Sequence, residues 1–302
     1  MSNFKNSELP NLNFHEVDVL SKFERNSFIQ KLISSFHDYD NLYFVSKFYE
    51  GYILNYLDKF WNENQIQFFA ACLIQSLTHL RKEQYIHRDV HFGNLVLDKD
   101  YYIILIDFHI AIEYKNKNNP NNNIVGSPEL CAPEMINNSI YDYNSDYYRL
   151  GSMIYYIIFR QYPNYIRKEK NITNIVINNE NINYSESCID FINKLIITDY
   201  KKRIGFDNIN ELINHKFFRN FSWNQLINKQ MKSPFNNGII RDLGLCRVLY
   251  NFTKRIFINR NLLKNNTFKN IFINYDKINL EIRDIIFISY KSSNSLKEKN
   301  LY

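Results

Sequence analysis

Apolar residues recur along this chain at spacings that predict its elements one after another. Phe14, Val17, Leu20 and Phe23 fall at helical spacing and leave Glu16 on another face. Residues 28–36 and 42–45 predict two strands joined by a polar turn over 37–41. Past Gly51 a stronger helix is marked by Asn62 as its cap and Gln65 three residues on, with Ile66, Phe69, Ala70, Leu73, Ile74, Leu77 and Leu80 forming one stripe. The runs 95–97 and 101–106, parted by the turn Asp98-Lys99-Asp100, predict a short hairpin whose end delivers Asp107. Residues 147–159 are apolar almost all round, as in a helix buried in the middle of a domain. Stripes at Cys188, Ile189, Ile192, Leu195 and Ile196, and at Leu212, Ile213, Phe217 and Phe218, predict further helices. Strand signals lie early and helix signals late, so the expected class is α+β in two parts.

Composition narrows the setting. The 302 residues, 45% of them hydrophobic, can bury a full core. The Asn-rich run over 115–123 reflects the Asn bias of the whole chain and carries little weight. Cys72, Cys131, Cys188 and Cys246 stand far apart, without metal-ligand spacing or a disulfide framework, which suits a reducing compartment. No signal peptide or transmembrane segment is marked, and cytoplasm or nucleus is the expected location. Residues 237–302 hold 12 Lys/Arg against 5 Asp/Glu, so most of the net charge of +6 gathers at the C-terminal end. That basic tail suits contact with an acidic partner or a membrane surface, while the lack of any nucleic-acid-binding signature disfavours nucleic acid.

The chemistry concentrates in the stretch Tyr85-Ile86-His87-Arg88-Asp89-Val90-His91-Phe92-Gly93-Asn94. Asp89 and Asn94 stand five residues apart between apolar runs. Phosphoryl transfer calls for such a pair, a carboxylate for the attacking hydroxyl and a carboxamide for a metal ion. Asp107-Phe108-His109, Ala132-Pro133-Glu134 and Asp146 follow in order.

From about Glu8 to Phe235 these residues resemble the eukaryotic Ser/Thr protein kinases of the AGC group, nearest to the YANK-type and cyclic-AMP-dependent branches. The segment Phe14-His15-Glu16-Val17 resembles helix C, with Glu16 as its acidic residue, and residues 35–45 resemble the fourth and fifth strands. The resemblance implies a bilobal fold with a reduced N-terminal β lobe and a mainly helical C-terminal lobe. Residues 1–13 are then a lead-in, 14–235 the kinase-like domain (14–49 residual N-lobe, 50–235 C-lobe), and 236–302 a basic extension.

It also implies roles. Asp89 would orient the substrate hydroxyl and accept its proton, Asn94 and Asp107 would hold Mg²⁺ on the phosphates of ATP, and His91 completes the catalytic loop. Ser46 and Phe48 fall on the hinge against which adenine packs, and Val96 closes the adenine pocket from below. His87, Arg88, Phe108 and Asp146 hold the loop in shape. Ser127 lies in the loop that receives a protein substrate, and Arg203 resembles the Arg that braces Glu134.

The pattern also departs from the family. No Gly-rich loop and no Val-Ala-x-Lys precedes Glu16 in this sequence, so ATP and Mg²⁺ binding are expected to be weakened or lost, by degeneration or because that segment lies outside the sequence. His91 stands where these kinases carry a Lys, although Asp-x-His-x-Gly-Asn is also how small-molecule phosphotransferases write this loop. His109 replaces the Gly of Asp-Phe-Gly, Tyr52 stands where an acidic residue often meets the ribose, and Asn123 takes the place of the activation-loop Thr. The leading expectation is a Ser/Thr kinase of weakened activity. The alternative is a silent pseudokinase that acts as a scaffold or allosteric partner, and a small-molecule kinase is disfavoured by the platform over 127–134.

Overall fold

The first helical stripe forms α1 (His15–Ser21), and the two early strands form β1 (Leu32–His37) and β2 (Asn41–Lys47). The computed structural model describes residues 15–24, 26–37, 41–49, 51–114, 130–138, 141–163, 183–236 and 285–291. These divide between two compact units. One takes the described residues within 1–24, 31–49 and 241–302, and the other those within 25–30 and 50–240.

In the first unit β1 and β2 pair antiparallel, Leu32 opposite Ser46 and His37 opposite Leu42. A third strand comes from far along the chain. Residues of β8 (Ile285–Lys291) pair antiparallel with β2, from Asn41 opposite Lys291 to Lys47 opposite Ile285, giving the order β1-β2-β8. Helix α1 lies against β1. It buries Glu16 with Val19 and Leu20, while Val17 stays half-exposed. The face is therefore rotated from the one that the Phe14/Val17/Leu20 spacing predicts, and Glu16 lies on the buried side; Phe14 lies outside the described residues.

The expected strand over 28–36 begins only at Leu32. The Asn26 side chain accepts the Phe28 N–H at 2.6 Å, a local Asx bond that competes with extended pairing. Ile29 makes an isolated parallel bridge to Leu105.

The second unit is built on α2 (Glu63–Lys82). Asn62 and Gln65 close its capping box at 3.0 Å in both directions, satisfying two donors that a bare helix end would orphan. Its stripe is buried from Ile66 to Leu80. The helix packs on α4 (Tyr143–Phe159), on β6 (Ile103–Leu105) and on α7 (Trp223–Ile227). Strands β3 (Gly51–Tyr52), β5 (Leu95–Leu97) and β6 form one small antiparallel sheet, and β4 (Tyr85–Ile86) pairs with β7 (Ile112–Glu113). Between them the two ladders fix both ends of residues 87–94.

Helix α4 starts four residues before the predicted run because Asp142 caps it. The Asp142 side chain accepts from the Asn144 N–H, and the Ser145 hydroxyl accepts the Asp142 N–H. Gly151 lets α4 meet α5 (Glu186–Leu195): a Cβ there would stand 2.6 Å from the Leu195 Cβ. Helix α3 (Pro133–Asn138) precedes α4. The stripe Leu212 to Phe218 yields two short pieces, α6 (Asn210–Ile213) and a 3₁₀ turn at Lys216–Phe218, because the His215 side chain accepts the Phe217 N–H and restarts the chain. Phe235 closes the unit, its ring edge-on to Tyr56 and Trp61 and its carbonyl accepting the Tyr56 hydroxyl at 2.9 Å. No described helix is long and apolar enough to cross a membrane.

Candidate active site

Residues 87–94 are shaped from below by α4. The Asp146 carboxylate accepts the backbone N–H of His87 at 2.8 Å and of Arg88 at 3.1 Å. Arg88 has φ +69°, a left-handed conformation costing a non-Gly residue about 1–3 kcal/mol, which these bonds offset. The Arg88 Nε donates to the Ile110 carbonyl at 2.7 Å, and its guanidinium lies over the Tyr141 ring. His87 is fully enclosed. Its Nδ1 accepts the Asp89 N–H at 3.3 Å and its Nε2 faces the Ile106 carbonyl at 3.2 Å, a pairing that suits the neutral ring. Burial pushes this imidazole down to about 4, so it stays uncharged at neutral pH. The Phe108 ring, itself buried, packs edge-on against His87.

These contacts present three oxygen-bearing side chains together. The Asn94 carboxamide donates to the Asp89 carbonyl at 2.9 Å and to Asp89 Oδ2 at 3.2 Å. The Ile106 N–H donates to the Asn94 carbonyl at 3.0 Å, which places Asp107 beside Asn94. Asp107 also adopts the left-handed region, with φ +67°, and the Gln30 side chain accepts its N–H at 3.2 Å. Burial alone would raise the Asp107 carboxyl, but its bond to His109 Nδ1 and the charge of that imidazole outweigh that and hold it below the usual carboxylate range.

His91 turns back onto its own loop. Its Nδ1 accepts the Gly93 N–H at 3.0 Å and its Nε2 stands 3.4 Å from Asp89 Oδ2. A Cβ on Gly93 would stand 2.7 Å from the His91 ring, so any other residue there would push that ring from its place. Burial pushes Asp89 upward, whereas the bond from His91 and the charges of His91 and Arg149 pull it down and prevail.

A second constellation lies at the start of α4. Arg203, buried, grips the buried Glu134 with two bonds of 2.7 and 2.9 Å. The same guanidinium donates to the Asn144 carbonyl at 2.7 Å, and the Ser145 hydroxyl donates to Glu134 at 3.1 Å. The segment Leu130 to Glu134 is thus seated on α4.

Residues 2–218 match the model of the protein kinase domain. The chain belongs to the protein kinase family. It is 31% identical over 227 residues to the serine/threonine-protein kinase sgk-1 of Caenorhabditis elegans, covering 73% of this chain and 49% of that protein. To serine/threonine-protein kinase Sgk1 of Oryctolagus cuniculus and of Homo sapiens it is 30% identical over 231 residues, covering 74% of this chain and 54% of each relative. The chain therefore spans about half the length of these relatives. Their names agree with the AGC-group Ser/Thr resemblance read from the motifs.

Within this kinase domain the structure brings together His87, Arg88, Asp89, His91, Asn94, Asp107, Phe108 and Asp146, and separately Glu134 with Arg203. Val96 is buried on β5, opposite Ile104 and Tyr52. Glu16, Ser46 and Phe48 belong to the other unit, where Glu16 and Ser46 are buried and Phe48 is half-exposed. Ser127 and Asn123 lie outside the described residues. Two participants escaped the sequence reading. Gln30 gave no signal, being one polar residue inside a predicted strand. Arg149 did give one, since a lone Arg within a helix apolar on every face demands a buried partner.

Proposed function

We propose that this chain transfers the γ-phosphoryl of ATP to a Ser/Thr hydroxyl of a protein substrate. The reading rests above all on the Asn94 carboxamide bonded to both the carbonyl and the carboxylate of Asp89, with Asp107 attached next door through Ile106. With its Nδ2 committed to Asp89, Asn94 turns its oxygen elsewhere, and Asp107 keeps a carboxylate oxygen apart from the one on His109. Two hard oxygen donors suit Mg²⁺, which binds through one or two side chains plus substrate phosphates. Bound there, Mg²⁺ would supply charge neutralisation on the phosphate oxygens.

The chain's own residues do the rest. Asp89 takes the proton of the substrate hydroxyl while that oxygen bonds to the γ-phosphorus and the bond to the β-bridging oxygen breaks, releasing ADP. His91, facing Asp89 and not outward, orients that carboxylate. Val96, buried on β5, is the proposed adenine contact in this unit, and the seat of 130–134 on Glu134 and Arg203 serves the substrate side.

Incubation with Mg-ATP and a basic Ser/Thr peptide, compared with Asp89→Ala, tests this. Transfer by the native chain alone is expected, and equal phosphate incorporation by both would sink it. A second reading, a pseudokinase scaffold, is favoured by the bond that ties Asp107 to His109. The absence of any thermal shift at millimolar Mg-ATP would support it.

A further inference from the structure

Helix α4 carries a guanidinium into the core directly beneath the 87–94 loop. Arg149 is fully buried, its Nη1 3.9 Å from Asp89 Oδ1 and its Nη2 3.5 Å from the Cys131 Sγ. It stands three residues after Asp146, so both side chains leave the same face of α4. Asp146 holds the backbone of the loop, and Arg149 faces its reactive side chain.

Burying a cation is expensive unless an opposite charge repays it, so a position that only needed filling would hold an apolar residue. The two oxygens of Asp89 show what the charge accomplishes. Oδ1 is enclosed and has no hydrogen-bond partner among the described residues, yet it lies within ion-pair reach of Arg149. Oδ2 is the oxygen beside Asn94 and His91. A carboxylate drawn inward by one oxygen has its rotation restricted, and its other oxygen stays on the side of Asn94 and His91.

We propose that Arg149 is a positioning residue for Asp89, anchoring Oδ1 from beneath the loop and leaving Oδ2 to meet the substrate hydroxyl. Through Cys131 the same guanidinium joins that carboxylate to the segment leading into Glu134, so the seating of the substrate side and the orientation of Asp89 are coupled. The role in transfer rests on the kinase reading above; the charge pairing does not.

The test uses Arg149→Met, which keeps volume and removes charge, and Arg149→Lys, which keeps charge. Both are assayed for transfer from Mg-ATP to a basic Ser/Thr peptide and melted with and without Asp89→Asn. Arg149→Met is expected to lower kcat at least tenfold with KM for ATP within about twofold of the native value, and Arg149→Lys to restore part of the loss. In melts, Asp89→Asn should lower Tm in the native background, where it takes one counter-charge from a buried cation, and lower it distinctly less in the Arg149→Met background. An unchanged kcat, or the same Tm loss in both backgrounds, would overturn the proposal. If Arg149→Met does not fold, Arg149→Lys decides: its shorter reach lowers kcat without moving KM, or the proposal fails. If the native chain transfers no phosphoryl group, it is the kinase reading that falls, and the melts alone decide the Arg149–Asp89 pairing.

Discussion

The carboxylate of Asp146, in the first turn of α4, accepts the backbone N–H of His87 at 2.8 Å and, through its other oxygen, that of Arg88. One buried side chain thereby sets the path of the loop that carries Asp89 and Asn94. Asp146→Asn keeps the size but turns an N–H₂ toward one of two donors. Hydrogen bonds to a charged group contribute about 1.5–3 kcal/mol. A stability loss of that order in denaturant titrations is expected, together with faster amide exchange at His87 and Arg88.

The same two residues give the acid limb an unusual shape. His87 sits at about 4 when folded against 6.5 when unfolded, so the unfolded chain binds more protons between those values and stability is lost as pH falls through them. Asp146, pushed up by burial to about 6 from 3.8, works the other way: the folded state binds more protons, and stability is lost as pH rises through that window. Between pH 4 and 6 the two largely cancel. Melts of Asp146→Asn across this range should expose the His87 slope, a loss of roughly 3 kcal/mol on acidification. His87→Asn, whose oxygen can still accept the Asp89 N–H, should show the opposite slope. Parallel pH profiles for both variants would contradict the assignment.

Glu134 and Arg203 form a buried bidentate pair 69 residues apart in sequence. Removing one partner leaves the other charged and enclosed. Glu134→Gln or Arg203→Met alone should therefore cost about 3–5 kcal/mol, and the double variant distinctly less than the sum. A double-mutant cycle by chemical denaturation checks this.

Asp107 and Asp89 should separate nucleotide binding from transfer. Saturation of the native chain at about 100 times its Kd for Mg-ATP stabilises it by about 2.7 kcal/mol. Asp107→Asn should remove the Mg²⁺-dependent part of that shift. Asp89→Asn should retain it while losing transfer by about 10²–10⁴-fold, the range for a missing general base. Calorimetry with and without Mg²⁺ distinguishes the two.

Much of this molecule is readable before it folds. The stripe from Ile66 to Leu80 with its Asn62/Gln65 cap, the hairpin ending at Asp107, and the five-residue interval from Asp89 to Asn94 depend on local periodicity and short spacing, and the sequence determines them by itself. Their order along the chain also identifies the family. Elsewhere only the folded chain decided. Glu16 lies on the buried face of α1 because the neighbouring sheet, not the helix period, chooses which side is covered. Residues 285–291 join β2 as a strand because pairing depends on an available edge, however distant in sequence. The loop at 87–94 was legible as chemistry, and the family resemblance pointed to Asp146 as its brace, but the rest of its support was not legible. Gln30 lies 77 positions from the Asp107 N–H that it accepts and Arg149 60 positions from the Asp89 carboxylate, and no local pattern links a buried polar group to so distant a partner. Sequence specifies which groups can react. Packing decides which oxygen of Asp89 faces outward, because only tertiary structure can bring a guanidinium beneath it and keep water away.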